Sequence, residues 1–253
     1  MMWLMNEGIY IVGHQGLGDH LICNGIYREY ASKYVLCIVG VNKMYEQTIK
    51  RMLVDVPNIR IASYPSKYFH AYSLAHAKIM QGIEGFDVLK LGLLGKDFFM
   101  EPNLRLDAHF YKQANLDLEL RWVNFKYGRD EEKEKQLFEY FGCKDSDYIF
   151  LHEDESRNFL VRRDLIPPNV RIIQPDISLR EFDIFDYAMV IENAREIHCI
   201  ESSFAAFIDM LPFDVPKFAH RYARPEVRND VHHEFTYRSS WSIFNSFDFH
   251  SPT

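Results

Sequence analysis

Asp19 most invites a chemical role. It stands directly after Gly16-Leu17-Gly18, between an apolar run, Ile9 to Val12, and a segment in which Leu21, Ile22, Gly25 and Ile26 recur at helical spacing. That order reads as a strand, a tight turn and a helix start. In an open α/β sheet such a turn lies at the carboxyl end of its strand, where ligands bind, and glycines let backbone N–H groups approach an anion. Gly16 and Gly18 are therefore candidate donor-binding positions. A carboxylate is a poor phosphate ligand, so Asp19 suits moving a proton or holding a hydroxyl. The same residues also suit an ordinary βα turn with an Asp cap. Position 21 is Leu where a dinucleotide fingerprint needs its third glycine, and no Gly-Lys-Ser/Thr follows, so neither common nucleotide loop is present.

A second constellation lies in the other half. The run Arg195 to Leu211, REIHCIESSFAAFIDML, reads as a buried strand ending in Glu201-Ser202-Ser203, with Ala205 and Ala206 opening an apolar helix. Hydroxyls and free N–H groups at that helix start suit a diphosphate, and Glu201 suits ribose hydroxyls; plain serine capping is the alternative. After the strand-like run Tyr148 to Leu151 comes His152-Glu153-Asp154-Glu155-Ser156-Arg157. Arg157 is the natural diphosphate clamp, since a guanidinium offers paired donors, and Ser156 adds a hydroxyl. His152 is either a neutral hydrogen-bond partner or a strand-end core histidine. The acids at 153 to 155 read as solvated turn residues. In KFAHRYAR, Lys217, Arg221 and Arg224 are reserve donor cations, although a basic, aromatic stretch is more often a solvated edge. Lys90, Arg105, His109, Tyr111 and Arg121 are offered for an acceptor side.

The elements that would position these residues alternate. Strand-like runs at Ile9 to Val12, Tyr34 to Val39, Ile59 to Ala62 and Val88 to Leu91 are separated by helical stretches such as Met44 to Val54 and Phe69 to Gln81. The pattern resumes at Tyr148 to Leu151, Val170 to Ile173 and Ile197 to Ile200, with helices at Ile184 to Asn193 and Ser203 to Leu211. This predicts an α/β fold with parallel sheets. The charged helix Asp130 to Phe141 and the acidic KDSD turn place a domain boundary near Lys144, giving 1–143 and 144–253. The aromatic tail, 235–249, is expected to pack back on the first domain. With 253 residues and a formal charge of -7, the chain has room for a large core and is not built to hold nucleic acid. Its four scattered cysteines show no C-x-x-C pair and read as reduced, buried thiols. No apolar run approaches a membrane span, and Met1 to Met5 lack the charged start of a signal peptide, so a cytoplasmic protein is expected. Oligomeric state leaves no trace in the sequence.

At these residues the chain resembles GT-B glycosyltransferases of a short viral or bacterial type. GLGDHL resembles the G-D loop of heptosyltransferase-like enzymes and the G-G-L-G-N motif of the fucosyltransferase group. The run ESSFAAFIDML resembles the D-S-x-x-x-H-x-A segment that holds the donor nucleotide in heptosyltransferases, with Glu201 in place of the family's Asp and no matching histidine. The resemblance implies two trimmed Rossmann-like domains facing a cleft. It implies inverting, metal-independent sugar transfer from a nucleotide-sugar to a hydroxyl acceptor such as a glycan. Asp19 would be the general base, and no cofactor is expected. A non-catalytic nucleotide- or sugar-phosphate-binding module, a GT-B-type nucleotide-sugar epimerase and an unrelated α/β phosphohydrolase suit the same residues.

Overall fold

A computed structural model describes residues 6–92, 104–225, 234–238 and 240–245. The chain divides into two compact units, Met1–Gly128 and Arg129–Thr253. The acidic turn had suggested a division after 143. Helix 131–140 instead belongs with the second unit: Arg129 joins its Glu134 (Nε to Oε1, 2.9 Å) to Glu192 (Nη1 to Oε1, 3.0 Å).

In the first unit β1 (Asn6–Val12) leads through the glycine turn into α1 (Leu17–Ile22) and α2 (Asn24–Ala31). There follow β2 (Tyr34–Asn42), α3 (Glu46–Met52), β3 (Ile59–Tyr64), α4 (Phe69–Gln81), β4 (Phe86–Lys90), α5 (Leu106–Gln113) and α6 (Leu120–Val123). The strands form one parallel sheet in the order β3-β2-β1-β4. Ile9, Tyr10, Ile11 and Val12 are all buried, as a central strand covered on both faces requires. Tyr10 and Val12, two apart and hence on one face, pack with Ala77 and Met80 of α4. The chain steps outward from β1 to β3 and then returns to lay β4 on the other side of β1. That reversal opens a crevice outside the carboxyl ends of β1 and β4, the place where open α/β sheets bind ligands.

The second unit repeats the logic. Its elements are α7 (Glu131–Tyr140), β5 (Tyr148–His152), β6 (Arg171–Ile173), α8 (Ala188–Glu192), β7 (Glu196–Cys199), α9 (Ser203–Asp209), β8 (Lys217–His220) and β9 (Trp241–Phe244). All strands are parallel in the order β6-β5-β7-β8-β9, so the reversal falls between β5 and β7. Ile149, Leu151 and Ile200 form one core with Val161 and Ile166. KFAHRYAR, read from sequence as an edge segment, supplies β8 inside the sheet, and its Ala219 and His220 are buried. Of the tail expected on the first domain, Trp241–Phe244 adds β9 to the second sheet, while 246–249 lie outside the described residues. The four cysteines are free and buried. No helix among the described residues is long and apolar enough to cross a membrane; Met1 to Met5 lie outside them.

Candidate functional site

The first site grows from the end of β1. Gly13 passes so near its neighbours that a Cβ there would lie 2.8 Å from His20 Cε1 and 3.0 Å from the Gly40 carbonyl oxygen. His14 follows it. Gly16 caps α1 in an extended conformation and donates its N–H to Asp19 Oδ2 at 3.0 Å; Gly18 lies in the helix's first turn. Asp19 therefore fills the capping role open to it in sequence. The same Oδ2 also takes a hydrogen bond from His14 Nδ1. An ionised carboxylate only accepts, so Nδ1 carries the proton.

The electrostatics of the pair are mutual. Burial pushes the Asp19 carboxyl up, but the charge and hydrogen bond of His14, together with His20 and the Gly16 N–H, outweigh it and hold Asp19 below its ordinary value. Burial pushes His14 down, and the Asp19 charge and hydrogen bond more than reverse this, so the imidazole titrates above its ordinary value. His20 is buried, held by burial at about 4 and hence neutral, with Nδ1 2.8 Å from the Tyr27 hydroxyl. A carboxylate and an imidazole so joined can accept or deliver one proton near neutral pH. Sequence reasoning passed over His14; the available signal was a histidine five residues before Asp19 across a strand-to-helix turn. Of the residues offered for an acceptor side, Arg121 is buried in an ion pair with Asp107, and the Tyr111 hydroxyl donates to the Ile22 carbonyl at 3.0 Å. Both are committed within the fold.

The second site lies at the reversal between β5 and β7. The Ile200 N–H donates to the His152 carbonyl at 3.0 Å, which lays the two strand-end loops side by side. Ser202 caps α9, its Oγ accepting from the Ala205 N–H at 3.4 Å, and sits 3.0 Å from His152 Nδ1. Residues from two separate sequence motifs thus meet. His152 packs at a tilt against Phe204 with ring centroids 4.6 Å apart, and burial pushes it down to about 4, so it is neutral at pH 7. Ser203 opens α9 and is partly exposed. Beside them a cavity of about 630 Å³ is lined by Phe141, Ile177 and Phe204 and by the polar His152, Asp154, Ser156 and Asp176.

Other sequence candidates behave differently. Arg157 does not line this cavity; its Nε donates to Asp154 Oδ2 at 2.7 Å, so its fork is already engaged. Ser156 donates to Asp154 Oδ1 at 2.6 Å, and Asp154 is thus the organiser of a turn that sequence had treated as solvated. Glu153 is likewise structural, accepting from the Val161 N–H at 2.9 Å and from Arg163 and Gln174. Glu201 is fully buried and takes Arg221 Nε on Oε1 at 2.7 Å, so it is not presented to a ribose. Arg221 also donates to Glu234 Oε2 at 2.8 Å and to the Phe235 carbonyl at 2.9 Å. A buried carboxylate needs such a partner, which explains why Arg221 serves Glu201 rather than a diphosphate. Lys217 opens β8, at the end of the sheet away from Ser202, and its ammonium donates to the Phe213 carbonyl at 3.2 Å. Three residues at about 3.3 Å each separate it from the carboxyl end. Among the described residues no group of three or more His, Cys, Asp or Glu side chains is disposed to hold a metal ion.

A known structure matches the chain over nearly its whole length. The glycosyl transferase family 9 protein from Veillonella parvula aligns with a TM-score of 0.56 at 12% identity, covering 99% of this chain and 90% of that one. The chain has the GT-B fold. Two further GT-B structures align less closely: E. coli ADP-heptose LPS heptosyltransferase II (TM-score 0.48, 10% identity, 94% of this chain and 90% of that one) and an E. coli heptosyltransferase with ADP (0.44, 13%, 84% and 86%). No protein-family model matches the sequence, and no curated protein does. In this GT-B chain both polar clusters stand at the reversal point of a sheet, a placement that only the strand order reveals.

Proposed function

We propose that this chain is a glycosyltransferase that moves a sugar from a nucleotide-sugar to a hydroxyl acceptor such as a glycan, with inversion at the anomeric carbon and without a metal ion. The observation that carries the reading is the His14–Asp19 pair at the carboxyl end of β1 in a GT-B fold. A proton-accepting pair is what an acceptor hydroxyl needs as it attacks. On this reading the second unit holds the nucleotide. Phe141 and Phe204 supply apolar contact for a base in the cavity, and the Asp176 carboxylate is suited to accept from ribose hydroxyls. The neighbouring Ser202 and Ser203 hydroxyls would meet the diphosphate; Arg157 could join them only by leaving Asp154.

The test of the nucleotide site is thermal shift against ADP, GDP, UDP and CDP. A ligand at about 100 times its Kd adds roughly 2.7 kcal/mol of stability. One base should raise the melting temperature well above the others, and Ser202→Ala should diminish the response. No response to any of the four at millimolar concentration would remove the second unit from nucleotide binding.

A further inference from the structure

We propose that the proton of the acceptor hydroxyl passes to His14 Nε2, and that Asp19 is the positioning residue that holds the ring. This deepens the transfer reading above and rests on it. The step balances simply. The acceptor O–H bond breaks toward Nε2, the freed oxygen pair bonds the anomeric carbon, and the bond from that carbon to the donor diphosphate breaks with its electrons leaving on the nucleotide. The resulting imidazolium afterwards loses its proton to water.

Four observations converge on His14. Asp19 Oδ2 already receives the Gly16 N–H at 3.0 Å and the His14 Nδ1–H, so that oxygen is engaged by the fold. With Nδ1 bearing its hydrogen, the bare lone pair of the neutral ring is on Nε2, to which no hydrogen bond is made among the described residues. The His14 side chain is 21% exposed and that of Asp19 12%, so the imidazole is the more open partner. The ring is also fixed by its packing. Phe110 and His70 stand at centroid distances of 5.9 and 6.1 Å, and Gly92 approaches so closely that a Cβ there would lie 2.6 Å from His14 Cδ2. Gly92 lies just beyond β4, so both strands of the first reversal point contribute to the ring's seat.

The titratable neighbours favour the same assignment. Asp19 and His20 face His14 from α1, and His70 faces it from α4. His20 is held neutral, and burial together with the His14 charge lowers His70, so the Asp19 carboxylate sets the sign of the local field. It lifts His14 toward the pH at which a base works best, while Asp19 itself is made a weaker base.

The test has a substrate-free arm and a kinetic arm. In ¹⁵N-resolved spectra of the histidine side chains, neutral His14 should show protonated Nδ1 and bare Nε2, titrating above the usual 6.5. In Asp19→Asn the pKa should drop. A neutral His14 protonated at Nε2 in the wild type would overturn the proposal. In the kinetic arm, release of nucleoside diphosphate is followed from UDP-, GDP- and ADP-hexoses across pH 5 to 9. His14→Gln should lose at least about 100-fold and its acidic limb, in line with general-base contributions of 10² to 10⁴. Asp19→Asn should keep a limb, moved to lower pH. His14→Gln within about threefold of wild type, with Asp19→Asn silent, would return the role to Asp19 and refute the assignment. Circular dichroism of each variant separates this from misfolding. A wild type that releases nothing from any donor would sink the transfer reading itself, and His14's role with it, even where the spectra still show Nδ1–H.

Discussion

Replacing Arg221 with Met should weaken the second unit sharply, and the structure sets the scale. The Arg221 guanidinium bridges Glu201 (2.7 Å), Glu234 (2.8 Å) and the Phe235 carbonyl (2.9 Å), and it lies over the Tyr237 ring with its carbon 5.6 Å from the centroid. Glu201 is 0% exposed and its carboxyl is already raised by burial against the opposing pull of Arg221. Removing one partner of a buried pair costs about 3–5 kcal/mol, because the remaining charge is left in a poor solvent. At about 2–4 °C per kcal/mol this is a fall of roughly 6–20 °C in melting temperature. The loss carries a sign in pH. Without the cation the folded Glu201 carboxyl titrates higher still, so the folded state holds a proton that the unfolded chain releases, and the deficit grows as pH rises above the carboxylate range. Urea unfolding at pH 5 and pH 8 reports this through Trp241, whose indole stacks on Tyr237 at 4.6 Å and donates to Asp209 at 3.0 Å. The double variant Glu201→Gln/Arg221→Met removes both charges of the pair and should recover part of the loss. A single variant within about 1 kcal/mol of wild type, or a deficit independent of pH, would refute the reasoning.

Further outcomes are expected. His20 and His220, both 0% exposed, titrate near 4 and 3 because of burial, so the unfolded chain gains protons as pH falls below 6.5 while the folded chain does not. Each should contribute a stability loss of about 3 kcal/mol between pH 7 and pH 4, and His220→Gln should flatten the acid side of a urea-midpoint profile; an unchanged profile contradicts the assignment. Gly92 has φ +92°, and an added Cβ would meet the His14 ring, so Gly92→Ala should cost at least about 1 kcal/mol and displace the His14 resonances. Unshifted His14 signals would show that the ring is seated by other contacts.

Much of the scaffold was legible because apolar runs with clear punctuation leave few options. Ile9 to Val12 has to be a covered strand, and Phe69–Gln81 follows from its helical spacing. The short strand Lys217–His220 was not legible, since a lysine and a histidine in four residues look polar until their burial beside β7 is known. The sites divide in the same way. Asp19, Ser202 and His152 could be found from their loops, because each ends a strand or begins a helix. The Glu201–Arg221 pair spans 20 residues and exists only because β7 and β8 are neighbours, so spacing alone could not show that each consumes the other. His14 escaped notice because a lone histidine has no periodicity. Its partner is set by the turn that folds α1 back toward β1.

The central claim is that a carboxylate–imidazole pair on the first unit drives sugar transfer. The most direct measurement is the rate of nucleoside diphosphate release and the anomeric configuration of the product. It uses the nucleotide-sugar whose nucleotide stabilises the protein most, with wild type and Asp19→Asn side by side. The expected result is an inverted product from the wild type and at least a tenfold slower Asp19→Asn that binds the nucleotide diphosphate with unchanged Kd. Equal rates in the two proteins, or a product of retained configuration, would contradict it.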